Sequence, residues 1–393
     1  MADETSTIPK GWKMTTLGEV AEISKLQWKP CDKEQKYIGL EHIDQGELTI
    51  NGFGYSSKLK SNKFYFKTGD VLFGKLRPYF RKVWKAKFDG VCSTDIWVLK
   101  AKENNDQNFL FYLVANPIFV SKSMGANTGT HMPRADWDFL KNTEWNIPSL
   151  PEQRAIAAVL SSLDDKIELL REQNKTLEAT AQAIFKEWFV NFNFPGVGKM
   201  IDSEIGKIPE GWRVKKITNV FDFIKGSEPG TANYSTEKLT DDHVPFYRVQ
   251  DIAKYGDVPN IYIEKKLLRG KIFGADDILI SLDGTIGRVF IGGNGGHSGG
   301  IRRVVGKEDY IKKSLIFCFL KSSKFQNDLK SFSGAETTIK HAGGAIEHME
   351  FTLNEKVCER FGETSDPLFQ KMIFNISQIQ ILSTLRDALI PKL

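Results

Sequence analysis

IPKGWKMTTLGEVAEISK, from Ile8, returns as IPEGWRVKKITNVFDFIKG, from Ile208, an offset of 200 residues. The match continues outward in the same order. FKTGDVLFGKLRPYFRKV, from Phe66, corresponds to FGADDILISLDGTIGRVF, from Phe273, each with an acidic turn, an apolar strand and a basic segment. GANTGTHMPRADW, from Gly125, corresponds loosely to GAETTIKHAGGAI, from Gly334. Self-similarity in the same order, at offsets of about 200 residues, sets the architecture before any local motif does. It predicts two copies of one domain in tandem.

A helical stretch follows each copy. Pro151 suits a first helical turn, where its missing amide donor is tolerated, and Glu152 suits the positive end of the helix dipole. Ile156, Leu163, Leu170, Leu177 and Ile184 recur every seven residues, with Leu160, Ile167, Asn174, Ala181 and Trp188 four residues after each. This is a heptad seam, in which Asn174 at an a position lowers stability but fixes register. From Pro151 to Phe189 the helix spans ~58 Å at 1.5 Å per residue, longer than one domain needs. NFNFPGVGK, from Asn191, then breaks it. A second helix is expected from about Asp366 to Leu393, with Leu368, Met372, Ile379, Leu382 and Leu389 on its seam and Asn375 and Arg386 interrupting it. Neither stripe is buried by its own helix, so the two are expected to pair as an antiparallel coiled coil.

The fold class expected is therefore α+β: two tandem mixed α/β domains joined by two long antiparallel coiled-coil helices, with pseudo-two-fold symmetry. The expected boundaries are residues 1–150 for the first domain, 151–195 for the helix and connector, 196–355 for the second domain and 356–393 for the terminal helix. YIGLEHI and VLFGKL in the first copy, and PFYRVQDI and DILISL in the second, read as strands. FLFYLVANPIFV and SLIFCFLKSSKF read as short buried helices.

Composition bounds the function. With 41% hydrophobic, 11% aromatic and 26% charged residues, the chain of 393 residues is expected to fold as two or three globular units. A formal charge of +5 suits a polyanionic partner and many others besides. Cys31, Cys92, Cys318 and Cys358 have no CxxC spacing, so they read as reduced thiols and no metal site is expected. No signal segment and no run of ~20 apolar residues is present, which points to the cytosol and to no membrane.

Catalytic signatures fail one by one. Asn116, Pro117, Ile118 and Phe119 resemble the NPPF motif of amino-methyltransferases, but Ile118 replaces the second proline and no FxGxG loop precedes it. ISLDGT, from Ile280, resembles the DxDGT strand of aspartate-nucleophile phosphatases, but Ser281 stands where the attacking carboxylate belongs. There is no GxxxxGK[ST] loop, no HExxH, and no Glu-x-Lys partner for Asp276 and Asp277.

Basic and aromatic segments at matching places remain. GKLRPYFRK places Lys75, Arg77, Arg81 and Lys82 around Tyr79 and Phe80 directly after an apolar strand. Arginine forks onto guanine O6 and N7, and lysine neutralises phosphate. The second copy supplies Arg248 and Gln250, Arg288, and Arg302 with Arg303. Gln250 has the donor and acceptor that adenine requires. Thr128 and Thr130 near Arg134, and Thr337 and Thr338 near Lys340, lie in loops suited to bringing backbone amides to phosphates. The alternative for each is an ordinary solvated turn.

Over essentially its whole length the chain resembles the specificity (S) subunits of type I restriction enzymes. The resemblance rests on the IPxGW openings at Ile8 and Ile208, LPEQRAIAAVLSSLDDKI from Leu150, NKTLEATAQAIFKEWFVNF from Asn174, and TLRDALIPKL from Thr384. It implies two target-recognition domains, each reading one half of a split double-stranded DNA sequence, in a non-catalytic chain. It implies docking to methyltransferase (M) subunits, which carry S-adenosylmethionine and methylate adenine N6, and to restriction (R) subunits, which use ATP and Mg. This chain itself would hold no cofactor. A caliper is then expected, with helix length setting the unread spacer. NEKVCERFGETSDP, Asn354 to Pro367, departs from the first helical opening through its glycine and proline, and a short tail usual in relatives would be missing after Leu393. Two other readings stand beside this one: a specificity module of a type II-like restriction and methylation enzyme, and a protein-binding scaffold.

Overall fold

A computed structural model describes residues 9–30, 32–125, 132–204, 206–332 and 342–392. The chain divides into two compact units, Met1–Lys166 with Leu382–Leu393, and Ile167–Ile381. Each long helix contributes residues to both.

The tandem repeat is visible as repeated strand order. In the first unit a four-stranded sheet runs Ala21–Ser24, Ile96–Ala101, Val71–Gly74, Val83–Lys85, and in the second the order is Phe221–Lys225, Ile301–Gly306, Ile278–Ser281, Val289–Phe290. A second sheet orders Lys63–Phe66, Gly90–Cys92, Lys36–Ile38 and Gly54–Tyr55, and its counterpart orders Ile272–Phe273, Gly295–His297, His243–Tyr247 and Tyr262–Glu264. The parallel pairing falls at the same place in both, Lys36–Ile38 with Gly90–Cys92 and His243–Tyr247 with Gly295–His297. Lys13–Thr16 pairs with Glu144–Ile147, as Arg213–Lys216 pairs with Glu350–Leu353. The first copy adds the short strand Gln27–Trp28.

Burial explains why the central strands are apolar throughout. Val71 and Phe73 join the cluster of the helices Gln107–Ala115 and Pro117–Met124, while Leu72 points the other way, into the cluster of Phe66, Trp84 and Val98. Alternation with period two therefore serves two cores. In the second unit Ile278 and Ile280 face the helix-bearing core and Leu279 faces Tyr247, Phe273 and Phe290.

The motif at Asn116 has a structural occupation. Its side chain caps the helix Pro117–Met124 by accepting from Ile118 N, and its Nδ2 donates to Ile390 O at 2.9 Å. Ser281 likewise closes a strand turn, accepting from Arg288 N at 2.9 Å.

The central helix is Leu150–Phe189. The terminal helix is Glu355–Leu389, and this corrects the expectation that it begins near Asp366 after an interrupted opening. It passes through Pro367 because that residue and Glu363, whose carbonyl loses its amide partner, both lie on the exposed face where water replaces the bond. One turn earlier, a Cβ on buried Gly362 would stand 2.6 Å from Lys312 Cγ, so the glycine permits close seating. In the second unit the helices run antiparallel: Asn174 meets Asn375, while Phe185 and Phe189 meet Phe361 at ring distances of 5.9 and 5.3 Å. Within the first unit Asp164 meets Arg386 at 2.9 Å. Cys92, Cys318 and Cys358 are free and buried, and Cys31 lies outside the described residues.

Candidate nucleic-acid interface

The basic loop of the first copy leaves the strand Val71–Gly74, and the matching loop of the second leaves Ile278–Ser281. Each is met by a returning segment through the same main-chain bond, Ala135 N to Lys75 O at 2.8 Å and Ala342 N to Leu282 O at 2.7 Å. In each unit the residue that follows the strand is thus tied to the described start of the returning segment. Thr128, Thr130, Thr337, Thr338 and Lys340 lie outside the described residues.

In the first loop, Pro78–Phe80 forms a 3-10 turn between Arg77 and Arg81, whose φ values are 53° and 45°. Arg77 N donates to Pro133 O at 2.8 Å, which ties the turn to the segment carrying Arg134. Arg81 and Lys82 turn inward. Arg81 donates to Gly46 O at 2.7 Å, and Lys82 Nζ donates to Leu40 O and Ile43 O at 2.5 and 2.9 Å. Burial pushes the Lys82 ammonium below its ordinary pKa, against the opposing pull of Asp44 and Glu41. These two cations therefore brace residues 40–46. Arg134 is exposed and reaches Asp95 at 3.5 Å. Lys75 is half-buried, and Tyr79 is 48% exposed with its ring edge against Phe80.

The second unit treats its cations differently. Arg248 makes a two-pronged bond to Asp251 at 2.7 and 3.0 Å, which holds its guanidinium charged. Arg303 reaches Asp277 at 3.4 Å and Ile272 O at 3.2 Å, and Arg288 donates to Val249 O at 3.0 Å. Arg302 donates to Gly299 O, and burial lowers its pKa while Asp283 opposes that shift. Gln250 is exposed in the turn Val249–Ile252. The sequence carried one sign of this: Asp251 stands three residues after Arg248, within reach on a single turn.

Along the helices, Leu160, Ile167, Leu170, Asn174 and Met372 are buried, while Ile156, Leu163, Leu177, Leu368, Ile379, Leu382 and Leu389 are half-buried. Ile376 and Phe369 are buried as well, although the seven-residue spacing did not include them. The two interruptions have partners. Asn375 Nδ2 donates to Asn174 Oδ1 at 2.9 Å, and buried Arg386 reaches both Asp164 and Asp387. Asp164 also accepts from Tyr112 OH at 2.7 Å. Among the described residues no group of His, Cys, Asp and Glu is placed to hold a metal, and no helix is long and apolar enough to cross a membrane.

Residues 9–179 and 209–355 match the type I restriction modification DNA specificity domain, once in each copy. The type I restriction enzyme MjaIX specificity subunit of Methanocaldococcus jannaschii is 28% identical, over 98% of this chain and 93% of that one. The HindI specificity subunit of Haemophilus influenzae is 23% identical, over 97% and 98%. A crystal structure of the type I restriction-modification S subunit from M. genitalium superposes with a TM-score of 0.55 at 16% identity, covering 100% of this chain and 97% of that one.

Proposed function

The chain belongs to the type I restriction modification DNA specificity family, and we propose from that membership that it is the non-catalytic subunit giving such a system its address on duplex DNA. Each repeated domain reads one half of a split target. The observation that supports this most is the placement of a loop after the same strand of the same sheet in both copies, each beside the same returning segment. Two heads of one fold and different loop chemistry suit two half-sites of different sequence.

Methyltransferase and restriction subunits are the partners in this reading. They hold the S-adenosylmethionine, ATP and Mg, and this chain holds none of them. The assembly works in the cytoplasm, where the DNA is. A protein-binding scaffold would need neither sequence nor salt dependence in its affinity for DNA. Selection of the purified chain on a randomised duplex pool at two salt concentrations separates the two. The expected result is enrichment of two short blocks with an unread spacer, and affinity that falls with salt as counterions are released. Salt-insensitive binding without enrichment would reject the proposal.

A further inference from the structure

The loops after Gly74 and after Ser281 turn the same two corners with different residues. In the second unit the corners are Gly284 and Gly287, at φ 69° and 83°. Counting three residues on from Gly74 and two back from Val83, the first unit has Arg77 and Arg81 there, at φ 53° and 45°. Glycine adopts this left-handed region freely, whereas an arginine does so at a steric cost. The fold accepts glycine at these corners, so it does not itself demand the strained version. Backbone strain retained at a position where a relaxed alternative exists marks a functional constraint.

Two further observations locate that constraint. Arg77 Nε is buried and has no hydrogen-bond partner among the described residues. Between the two arginines, Tyr79 stands 48% exposed on a turn held at both ends, by Arg77 N to Pro133 O and by Arg81 to Gly46 O. An aromatic ring with two side-chain torsions, on a fixed turn, loses little entropy on meeting a partner. The matching loop, Asp283–Gly287, carries no aromatic residue.

We propose that Tyr79, with Arg77 beside it, is the base-reading tip of the first head, and that Arg81 and Lys82 are its positioning residues rather than DNA ligands. This rests on the DNA-reading function proposed above. The ring packs on base edges in the major groove, and the Arg77 guanidinium donates to acceptors there.

The test is selection on a randomised duplex pool with the full chain and its variants Tyr79→Ala, Tyr79→Phe and Arg77→Gln, each checked for an unchanged melting temperature. Tyr79→Ala and Arg77→Gln are expected to relax one or two positions in one block only, with discrimination there falling about ten- to a hundredfold. The other block stays as in the wild type. Tyr79→Phe, which keeps the ring, retains most of the preference. If the wild type selects a split sequence and Tyr79→Ala selects the same one at equal stringency, the tip assignment is overturned and the DNA reading stands. If Tyr79→Ala melts lower, Tyr79→Phe and Arg77→Gln decide: wild-type stringency in both overturns the assignment. Failure of the wild type to select any sequence would remove the DNA reading and this assignment together.

Discussion

Replacing the buried amide pair of the helical seam by leucine is expected to stabilise the protein only when both members change. Asn375 is fully buried and its Oδ1 already lacks a partner among the described residues, while its Nδ2 donates to Asn174 Oδ1 at 2.9 Å and reaches Gln173 Oε1 at 3.4 Å. Asn174→Leu breaks the shorter bond and leaves Asn375 still poorer in partners, which costs about 1–3 kcal/mol. Asn375→Leu removes its own orphan oxygen but strands Asn174 Oδ1, while Asn174 Nδ2 keeps Met372 O at 3.4 Å. Its net cost is therefore smaller, about 1 kcal/mol. In the double variant no stranded amide remains and two leucines add apolar burial of about 1.5–3 kcal/mol each. It should equal or exceed the wild type, giving a coupling of about 2 kcal/mol or more between the positions. Urea unfolding of the full chain and the three variants, followed by circular dichroism, measures this. The stabilised double variant should also select targets less sharply, because a polar pair at the seam excludes other registers. Losses in the two single variants that simply add in the double would refute the reasoning.

Asp164→Ala should cost about 3 kcal/mol, the lower end for a broken buried pair, because Arg386 is 4% exposed and among the described residues keeps only the Asp387 carboxylate; thermal unfolding reads the loss. His297 is 1% exposed, and burial, with Arg302 and Arg303 nearby, lowers its pKa to about 4 against the pull of the Ser298 and Ile301 backbone. The unfolded chain then binds this proton more readily than the folded one, so the stability is complete above about pH 6.5 and is lost as pH falls toward 4. A melting temperature that drops across that window in the wild type, and drops less in His297→Asn, is the expected outcome. Lys75→Ala should reduce the slope of log affinity for duplex DNA against log salt by about 0.9. Lys82→Ala should leave that slope unchanged and lower the melting temperature, since its ammonium is spent on Leu40 O and Ile43 O.

The offset between IPKGW and IPEGW predicted the tandem domains, and the spacing from Ile156 to Trp188 predicted the long helix, because both signals are periodic and periodicity survives local detail. The start of the terminal helix was not legible in that way. Gly362 and Pro367 carry strong local meaning as breakers, and only the packing of Lys312 and the exposed position of Pro367 show why the helix runs through them. Individual DNA ligands were the least legible part. A basic residue looks alike in sequence whether its charge faces solvent or is bound; Arg81, Lys82, Arg248 and Arg303 are hydrogen-bonded within the fold, whereas Tyr79 is exposed. The strain at Arg77 and Arg81 has no sequence signature apart from the glycines that occupy the same corners in the other copy.

Two copies of one fold, each reading half of a divided sequence, are the central proposal. Its most direct test is co-expression with a methyltransferase subunit of a type I system in cells lacking other adenine methylation, followed by genome-wide mapping of methylated adenines. Modification confined to one motif of two fixed blocks separated by a constant unread gap is the predicted result. A single continuous motif, or no methylation by a complex that forms, would contradict it.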